Sequence, residues 1–506
     1  MLLNRPRPPV PPVFDYRAAV ITSRLPLVLD PLLAPQDPGV AEVSSLLYRP
    51  LLRLDNTGYP APDLASAWST SVDGLTYTLQ LQPGLRWSNG SPLTLRDVLA
   101  TIQWVQSPGF PEASLAAAWQ GVDAQVAGSH LLLTLSGPRA SFAVTLTQLP
   151  ILPLGGFSTA AIQSLPRHPS SPLPTSGPYM VSGETAGNLT LTANPHAGPA
   201  PRLGRVELEP VVSFQAAAAL FAAGRADLVL ATSAGERSQL LRRPGSAAHD
   251  VITFGFVDLL FNERTPGLDD RAVRSAIRMA VDRDRVVASS VGGLGAVQTG
   301  PIPAGILWLQ QVEPVLGPPD PGGGVSQLDT DGWLPGASGV RSHASTSLRF
   351  TLSVADSPPL PSVAADIATQ LQALGISVTL SVVPAASFLS QVLVPGRFQL
   401  AIAAWDGGAD PDVSQYWSSG AAPPLGYNVS GEAPDAFLDQ DLEELATFST
   451  QQDRVLAASR VTIEIDQTVP AVFLYAPEET LVASSRLPGI AVPATGDPFA
   501  DAASWP

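Results

Sequence analysis

Two residue types are missing altogether: none of the 506 residues is cysteine and none is lysine. Without cysteine there is no disulfide, no thiolate metal ligand, no cysteine nucleophile and no cysteine for a lipid anchor. Without lysine there is neither a Schiff-base amine nor the cation of a phosphate-binding loop. All 28 cations are therefore arginine, set against 44 acids for a net charge of −16. A chain this acidic repels phosphate backbones, so no nucleic-acid partner is expected. Histidine is also scarce, with five residues and no HxH or HxxxH pair among them. No metal site and no cofactor are expected on that basis. Serine-elbow, phosphate-loop and dinucleotide fingerprints are lacking too: Gly292-Gly293-Leu294-Gly295 has the wrong spacing. With no nucleophile–base set in view, the chain is not expected to be an enzyme.

The first residues, Met1 to Pro12, are rich in Pro and Arg and hold no apolar core of signal-peptide length. An export signal is thus expected to be absent from this chain, either trimmed away or never present. The uncharged stretch Ala140–Pro166 is broken by Pro150, Pro153 and Gly155-Gly156, which suits a buried strand and its loop better than a membrane span.

What is present is ample apolar material, 45% of the chain, punctuated by 52 prolines and 42 glycines. At this length, two or three packed units are expected. Val206 and Leu208 alternate with charged neighbours as in a half-buried strand; an Ala-rich helix over about 214–223 ends at Gly224, and Leu228-Val229-Leu230 follows as a strand. Phe350, Leu352 and Val354 alternate again. Val363, Ile367, Leu371 and Leu374 then fall at helical spacing up to Gly375, and Ile376, Val378, Leu380 and Val382 resume the alternation. A short helix around Phe388–Val392 leads to a strand over Phe398–Ala404. This order argues for an α/β sheet covered by helices. Two amphipathic helices stand apart, one carrying Val273, Ile277 and Val281, the other Leu438, Leu442 and Leu445. The Pro/Gly/Asp-rich stretch Pro314–Gly339 is expected to be a long surface loop.

Aromatic residues cluster where the last of these strands ends. Trp405 follows it directly, with Asp406-Gly407-Gly408 next and Tyr416-Trp417 and Tyr427-Asn428 within 25 residues. The carboxyl ends of α/β strands are where such sheets present ligand contacts, so this cluster is expected to form a ligand wall. Asp410-Pro411-Asp412 is expected to be turn chemistry rather than a catalytic carboxylate pair.

The order of short motifs resembles the family 5 extracellular solute-binding proteins, the dipeptide- and oligopeptide-binding group of ABC transporters. The resemblance runs from about Leu29 to Ala476, beginning with Leu29-Asp30-Pro31 and Leu47-Tyr48-Arg49-Pro50. Its most specific string is Leu85-Arg86-Trp87-Ser88-Asn89-Gly90-Ser91-Pro92-Leu93-Thr94, then Asp97-Val98. Ser176-Gly177-Pro178-Tyr179, Phe261-Asn262, Asp270-Arg271-Ala272-Val273-Arg274, Ala280-Val281-Asp282-Arg283, Trp405 to Asp412 and Pro470 to Tyr475 continue it.

That resemblance implies a two-lobed periplasmic-binding-protein-like fold (type II, cluster C) with an inserted subdomain and a hinge. Lobe I would comprise 14–45, 176–257 and 471–506, the inserted subdomain 46–175, and lobe II 258–470. It further implies a monomeric extracytoplasmic receptor that delivers a peptide or other small solute to ABC transporter permease subunits by closing its lobes. The pocket would be lined by Trp405, Asp406, Tyr416, Trp417, Asn262, Tyr475 and the loop at Gln36-Asp37. One departure bears on the ligand. Peptide binders usually place an ammonium-holding Asp three residues after the Trp; here that position is Gly408, and the nearest acid is Asp406. The alternative is a ligand sensor or surface scaffold without transport, or a receptor for a non-peptide solute.

Overall fold

A computed structural model of the chain describes residues 14–494, apart from 23–37, 111, 159, 162–172, 186, 199–200, 202, 313, 315, 432–433 and 488. Twelve strands form its largest sheet, numbered here in chain order: β1 Phe14–Ile21, β2 Tyr179–Thr185, β3 Asn188–Ala193, β4 Leu203–Val211, β5 Leu228–Ala231, β6 Ala247–Ile252, β7 Gly255–Phe261, β8 Gly295–Val297, β9 Arg349–Ala355, β10 Ser377–Val383, β11 Leu400–Asp406 and β12 Ala471–Ala483. Across the sheet the order is β10-β9-β11-β7-β12-β5-β1-β4-β3-β2, and β6 and β8 also pair with β12.

The two lobes meet on one strand. Residues 471–475 of β12 pair with β7, while 478–483 pair with β6. A second crossing lies where β6 runs into β7 at 253–254, and the amide of Thr253 donates to the Pro477 carbonyl at 2.9 Å. Burial follows the same division. One apolar cluster gathers side chains between Phe256 and Tyr475. Another joins Ala18, Val20, Leu208 and Leu481 to Leu79, Trp119 and Phe142, so the antiparallel sheet of strands Ala65–Thr70, Thr76–Leu81, Asp123–Ala127 and His130–Thr134 shares a core with the first lobe. β1 is apolar on both faces because Ala18 and Val20 enter that core while Ala19 enters a third cluster with Phe221 and Val229.

Several motif residues prove to be local scaffolding. Thr94 and Asp97 form a reciprocal capping box on the helix Leu95–Val105, and the second Asp97 oxygen accepts from the Gly155 amide at 3.0 Å. A Cβ at Gly155 would lie 2.9 Å from that carboxylate, which is why glycine sits there. Asp270 caps α1 (Arg271–Ala280) and accepts from the Trp333 indole at 2.8 Å. The described residues of 140–161 contain no strand: the stretch opens with the short helix Phe142–Thr145, buried on all four residues, and 159 and 162–166 lie outside the described residues.

The expected surface loop at Pro314–Gly339 is corrected. It contains α2 (Pro321–Thr330), capped by Asp320 with Pro321 at its start. Its glycines argue against a helix by propensity, yet a Cβ at Gly324 would lie 2.9 Å from the Ala276 carbonyl of α1 and 3.0 Å from Leu374 Cδ2. Close helix approach, rather than loop formation, explains the glycine run. Alanine gains about 1 kcal/mol over glycine in an exposed helix interior, whereas overpacking a tight contact costs about 1–3 kcal/mol. Gly322→Ala is therefore expected to be neutral or stabilising and Gly324→Ala destabilising. Urea midpoints measured side by side check this; equal shifts for the two would defeat it.

Candidate functional site

β11 runs toward the lobe boundary and brings its last two residues, Trp405 and Asp406, level with Gly255 and Phe256 of β7. The strand thus starts and ends two residues later than the pattern of Phe398–Ala404 suggests. The stretch that follows folds back on it. Tyr416, on the turn Ser414–Trp417, places its ring 5.0 Å from that of Trp405 and donates its hydroxyl to the Asp406 carbonyl at 3.0 Å. Tyr427 stacks on Tyr416 at 6.3 Å and lies 5.8 Å from Trp405, and Phe256 meets Tyr416 edge-on at 5.5 Å. Trp405 and Tyr427 are half-buried while Tyr416 is covered, so the cluster offers two partly open rings over a packed base. Burial, with the nearby charge of Asp406, pushes the Tyr416 phenol well above its ordinary range; it is a neutral donor.

Asp406 is exposed and its Oδ1 accepts only a 3.3 Å bond from the Gly408 amide. No ion pair to it occurs among the described residues. Gly408 takes the left-handed conformation at φ +67°, which lets the chain turn back beneath the carboxylate. Asp410 and Asp412 cap successive amides, Asp412 at 2.9 Å and Ser414 at 3.0 Å, in the turn role expected of them. Asp410 does more: both its oxygens take the guanidinium of Arg454, at 2.6 and 3.0 Å.

The remaining wall residues are placed differently. Asn262 is spent on backbone, donating to Phe398 O at 2.7 Å and Gly396 O at 3.2 Å and accepting from the Arg264 amide. It also follows the far end of β7, seven residues from Gly255, roughly 20 Å away at strand rise. Its expected ligand contact is therefore replaced by a role in fixing the approach to β11. Trp417 turns the other way, packing edge-on against Phe473 at 5.7 Å inside the core. Tyr475 is buried between β7 and β8 with Gly295 beneath it, where a Cβ would come within 2.9 Å of the ring. The structure thus gives Trp417 and Tyr475 core positions rather than wall positions. Gln36 and Asp37 lie outside the described residues.

One residue that periodicity passes over sits under the cluster. Asp258, in the middle of β7, is completely buried; one oxygen accepts from the Trp405 indole at 3.2 Å and the other has no partner among the described residues. Burial outweighs the hydrogen bonds from the indole and from its own backbone and raises its pKa well above the carboxylate range. The signal was legible: Asp258 is the lone acid in the apolar run Phe256–Phe261. Among the described residues no group of three or more His, Asp or Glu is placed to hold a metal ion. No helix among them is long and apolar enough to cross a membrane.

A family model described as "Bacterial extracellular solute-binding proteins, family 5 Middle" matches residues 59–424. Among curated proteins the chain is similar to Protein XP55 of Streptomyces lividans, 28% identical over 343 residues, which span 65% of this chain and 59% of that protein. It is also similar to a putative ABC transporter peptide-binding protein of Brucella ovis, 26% identical over 382 residues, 72% of this chain and 69% of that one. The fold is similar to that of the nickel ABC transporter from Bacillus halodurans, with a TM-score of 0.77 at 19% identity over 93% of this chain and 95% of that chain.

Proposed function

The chain belongs to the bacterial extracellular solute-binding proteins of family 5, and from that premise we propose that it is the receptor of an ABC importer, closing two lobes over a peptide-like ligand. The lobes are taken as 14–45 with 176–257 and 471–506, carrying the subdomain 46–175, and as 258–470; two separate apolar clusters support this division with its crossings moved to 253–254 and 476–477, because Phe256, Val257 and Ala471–Tyr475 pack with 258–470. It acts as a monomer outside the cytoplasm, handing its ligand to permease subunits and performing no chemistry on it. The observation that carries this reading is the half-open Trp405–Tyr427 wall with an exposed carboxylate beside it, without an ion pair among the described residues, at a strand's carboxyl end. Trp405 and Tyr427 supply the apolar contact, and Asp406 supplies the anion for a ligand ammonium.

Gly408 favours a second reading, in which the amine site is weak and the ligand is a neutral or metal-chelate solute. Relatives span both chemistries, one named for peptides and one structural neighbour for nickel. A thermal-shift screen of peptides of two to eight residues against sugars and nickel chelates separates them, since a ligand bound only by the folded state raises the melting temperature. Peptides alone are expected to shift it. Trp405→Ala should then weaken the bound peptide at least tenfold, and Asp406→Asn should weaken it while leaving an N-acetylated analogue unaffected. Shifts with chelates alone would replace peptide by chelate; affinities untouched by Trp405→Ala would move the site elsewhere.

A further inference from the structure

The largest sheet has two ends, and they are built differently. At one end, β2 carries a register shift between Val181 and Gly183 and a charge at Glu184, devices that discourage a further strand from adding. At the other, β10 reads Ser-Val-Thr-Leu-Ser-Val-Val, with no charge, no proline and an unshifted register. Among the described residues it pairs with β9 alone. Residues 367–396 around it hold no charged side chain, in a chain of net charge −16. We infer that β10 is an interaction surface whose partner is β10 of a second copy of this chain, joined antiparallel about a twofold axis at Leu380.

The direction of the peptide groups sets the seam. The Ser377 amide donates to the Leu348 carbonyl at 2.9 Å, and the Val383 carbonyl accepts from the Asp356 amide at 2.7 Å. Residues 377 and 383 therefore turn toward β9, as do 379 and 381 by alternation. Val378, Leu380 and Val382 turn their N–H and C=O to the open edge. Centred on Leu380, two copies oppose Leu380 with Leu380, Val378 with Val382 and Thr379 with Ser381. Every outward N–H then meets an outward C=O, and from 378 to 382 each side chain meets one of like polarity. A one-residue slip would lose both matches. Val378, Leu380 and Val382 also continue the buried row Phe350, Leu352 and Val354 of β9, with Leu380 and Val382 left half-open because no strand follows. A second strand would cover them. Charge favours a copy as that strand's source: two chains of −16 repel across charged faces, and at this uncharged one they do not. The seam is one short strand long, so its area falls below the roughly 1,200 Å² of standard interfaces and the pair is weak and reversible. The single copy stays the form that acts on the permease, and the inference is independent of the ligand.

Sedimentation velocity of the full chain over a concentration series tests this. The mass is expected to rise from that of one copy toward that of two, and added salt should tighten the pair by screening the net charge. Leu380→Lys sets like charges against each other on the axis and should weaken pairing at least tenfold. Thr379→Lys with Ser381→Lys should do the same. Thr379→Lys with Ser381→Glu sets opposite charges across the seam and should pair as tightly as wild type or better. Melting temperatures show which variants are folded; should Leu380→Lys not fold, the two double variants decide. A chain that keeps the mass of one copy up to its solubility limit overturns the proposal and leaves the edge to an unlike strand. Association that survives Leu380→Lys, or that is equal in the two double variants, overturns it as well.

Discussion

Asp410→Ala is expected to lower stability by about 3–5 kcal/mol, the range for removing one partner of a buried ion pair. The carboxylate meets Arg454 in a two-bond fork, and the side chains are only 12% and 8% exposed. Removal would strand a guanidinium that has one other polar contact among the described residues, Nε to the Leu445 carbonyl at 3.2 Å. Arg454 also lies 6.0 Å from the centroid of the Trp308 ring, which meets Tyr59 edge-on at 5.2 Å, and the Trp308 amide donates to the Thr57 carbonyl at 3.2 Å. The pair therefore joins the turn after Trp405 to Trp308 and, through it, to Thr57 and Tyr59. Asp410→Asn separates charge from turn geometry, because an amide oxygen still accepts from the Asp412 amide. It should cost less than Asp410→Ala, and the double variant Asp410→Asn with Arg454→Met should be more stable than Asp410→Asn alone. Denaturant unfolding measures all three. A loss below about 1 kcal/mol for Asp410→Ala would put the pair in the class of solvated surface bridges and sink the argument.

Such a pair, 44 residues apart in sequence, illustrates what local pattern leaves unread. Periodicity located β9, the helix Leu360–Ala373 and β10, and it placed Gly224 and Gly375 at the left-handed stops where φ is +71° and +76°. It misjudged the sides. Leu380 and Val382 alternate as core residues would, but β10 is an edge strand and they are 38% and 52% exposed. It also hid α2, because glycine signals a loop unless the partner helix is known. At the candidate site, the spacing of Trp405, Tyr416 and Tyr427 marked a cluster that the fold brings together. Asn262, Trp417 and Tyr475 failed for definite reasons: the far end of a strand, the other side of a one-turn helix, and a strand covered on both edges. Which end and which side are tertiary facts, set by register and packing. The motif order, by contrast, led to the right family from local strings alone, since capping boxes and tight glycine contacts such as Thr94–Asp97–Gly155 require particular residues.

Asp258 carries the second large effect, and it appears as a pH dependence. Burial raises the pKa of the folded carboxyl well above the carboxylate range, against hydrogen bonds from the Trp405 indole and from its own backbone and with no arginine offsetting the desolvation. Asp258 is among the groups whose charge raises the neighbouring Tyr416 phenol, and Tyr416, itself neutral, supplies it no cation. The unfolded chain ionises this group in the ordinary carboxylate range, so above that range the unfolded state has lost a proton the folded state keeps. Stability from Asp258 is thus fully present at acidic pH and is lost as pH rises toward the folded pKa. The slope is about 1.4 kcal/mol per pH unit while only the unfolded state is ionised. Asp258→Asn keeps an acceptor for the indole, is close in shape to the protonated acid, and does not titrate. The other 43 acids titrate in both proteins, so the difference between the two stability curves isolates this one group. Above the ordinary carboxylate range the variant is expected to gain on the wild type as pH rises, by at most about 1.4 kcal/mol per pH unit, with no gain below that range, as read from urea unfolding at each pH. Asp258→Leu distinguishes charge from positioning: it also abolishes the titration but leaves the indole without its acceptor. It should therefore free Trp405 and weaken whatever ligand the cleft holds, while Asp258→Asn binds within about twofold of wild type, less than the roughly 1 kcal/mol of a typical hydrogen bond. Parallel pH curves for wild type and Asp258→Asn would mean that the carboxyl is ionised in the fold, and that a cation the structure does not place beside it stands there in solution.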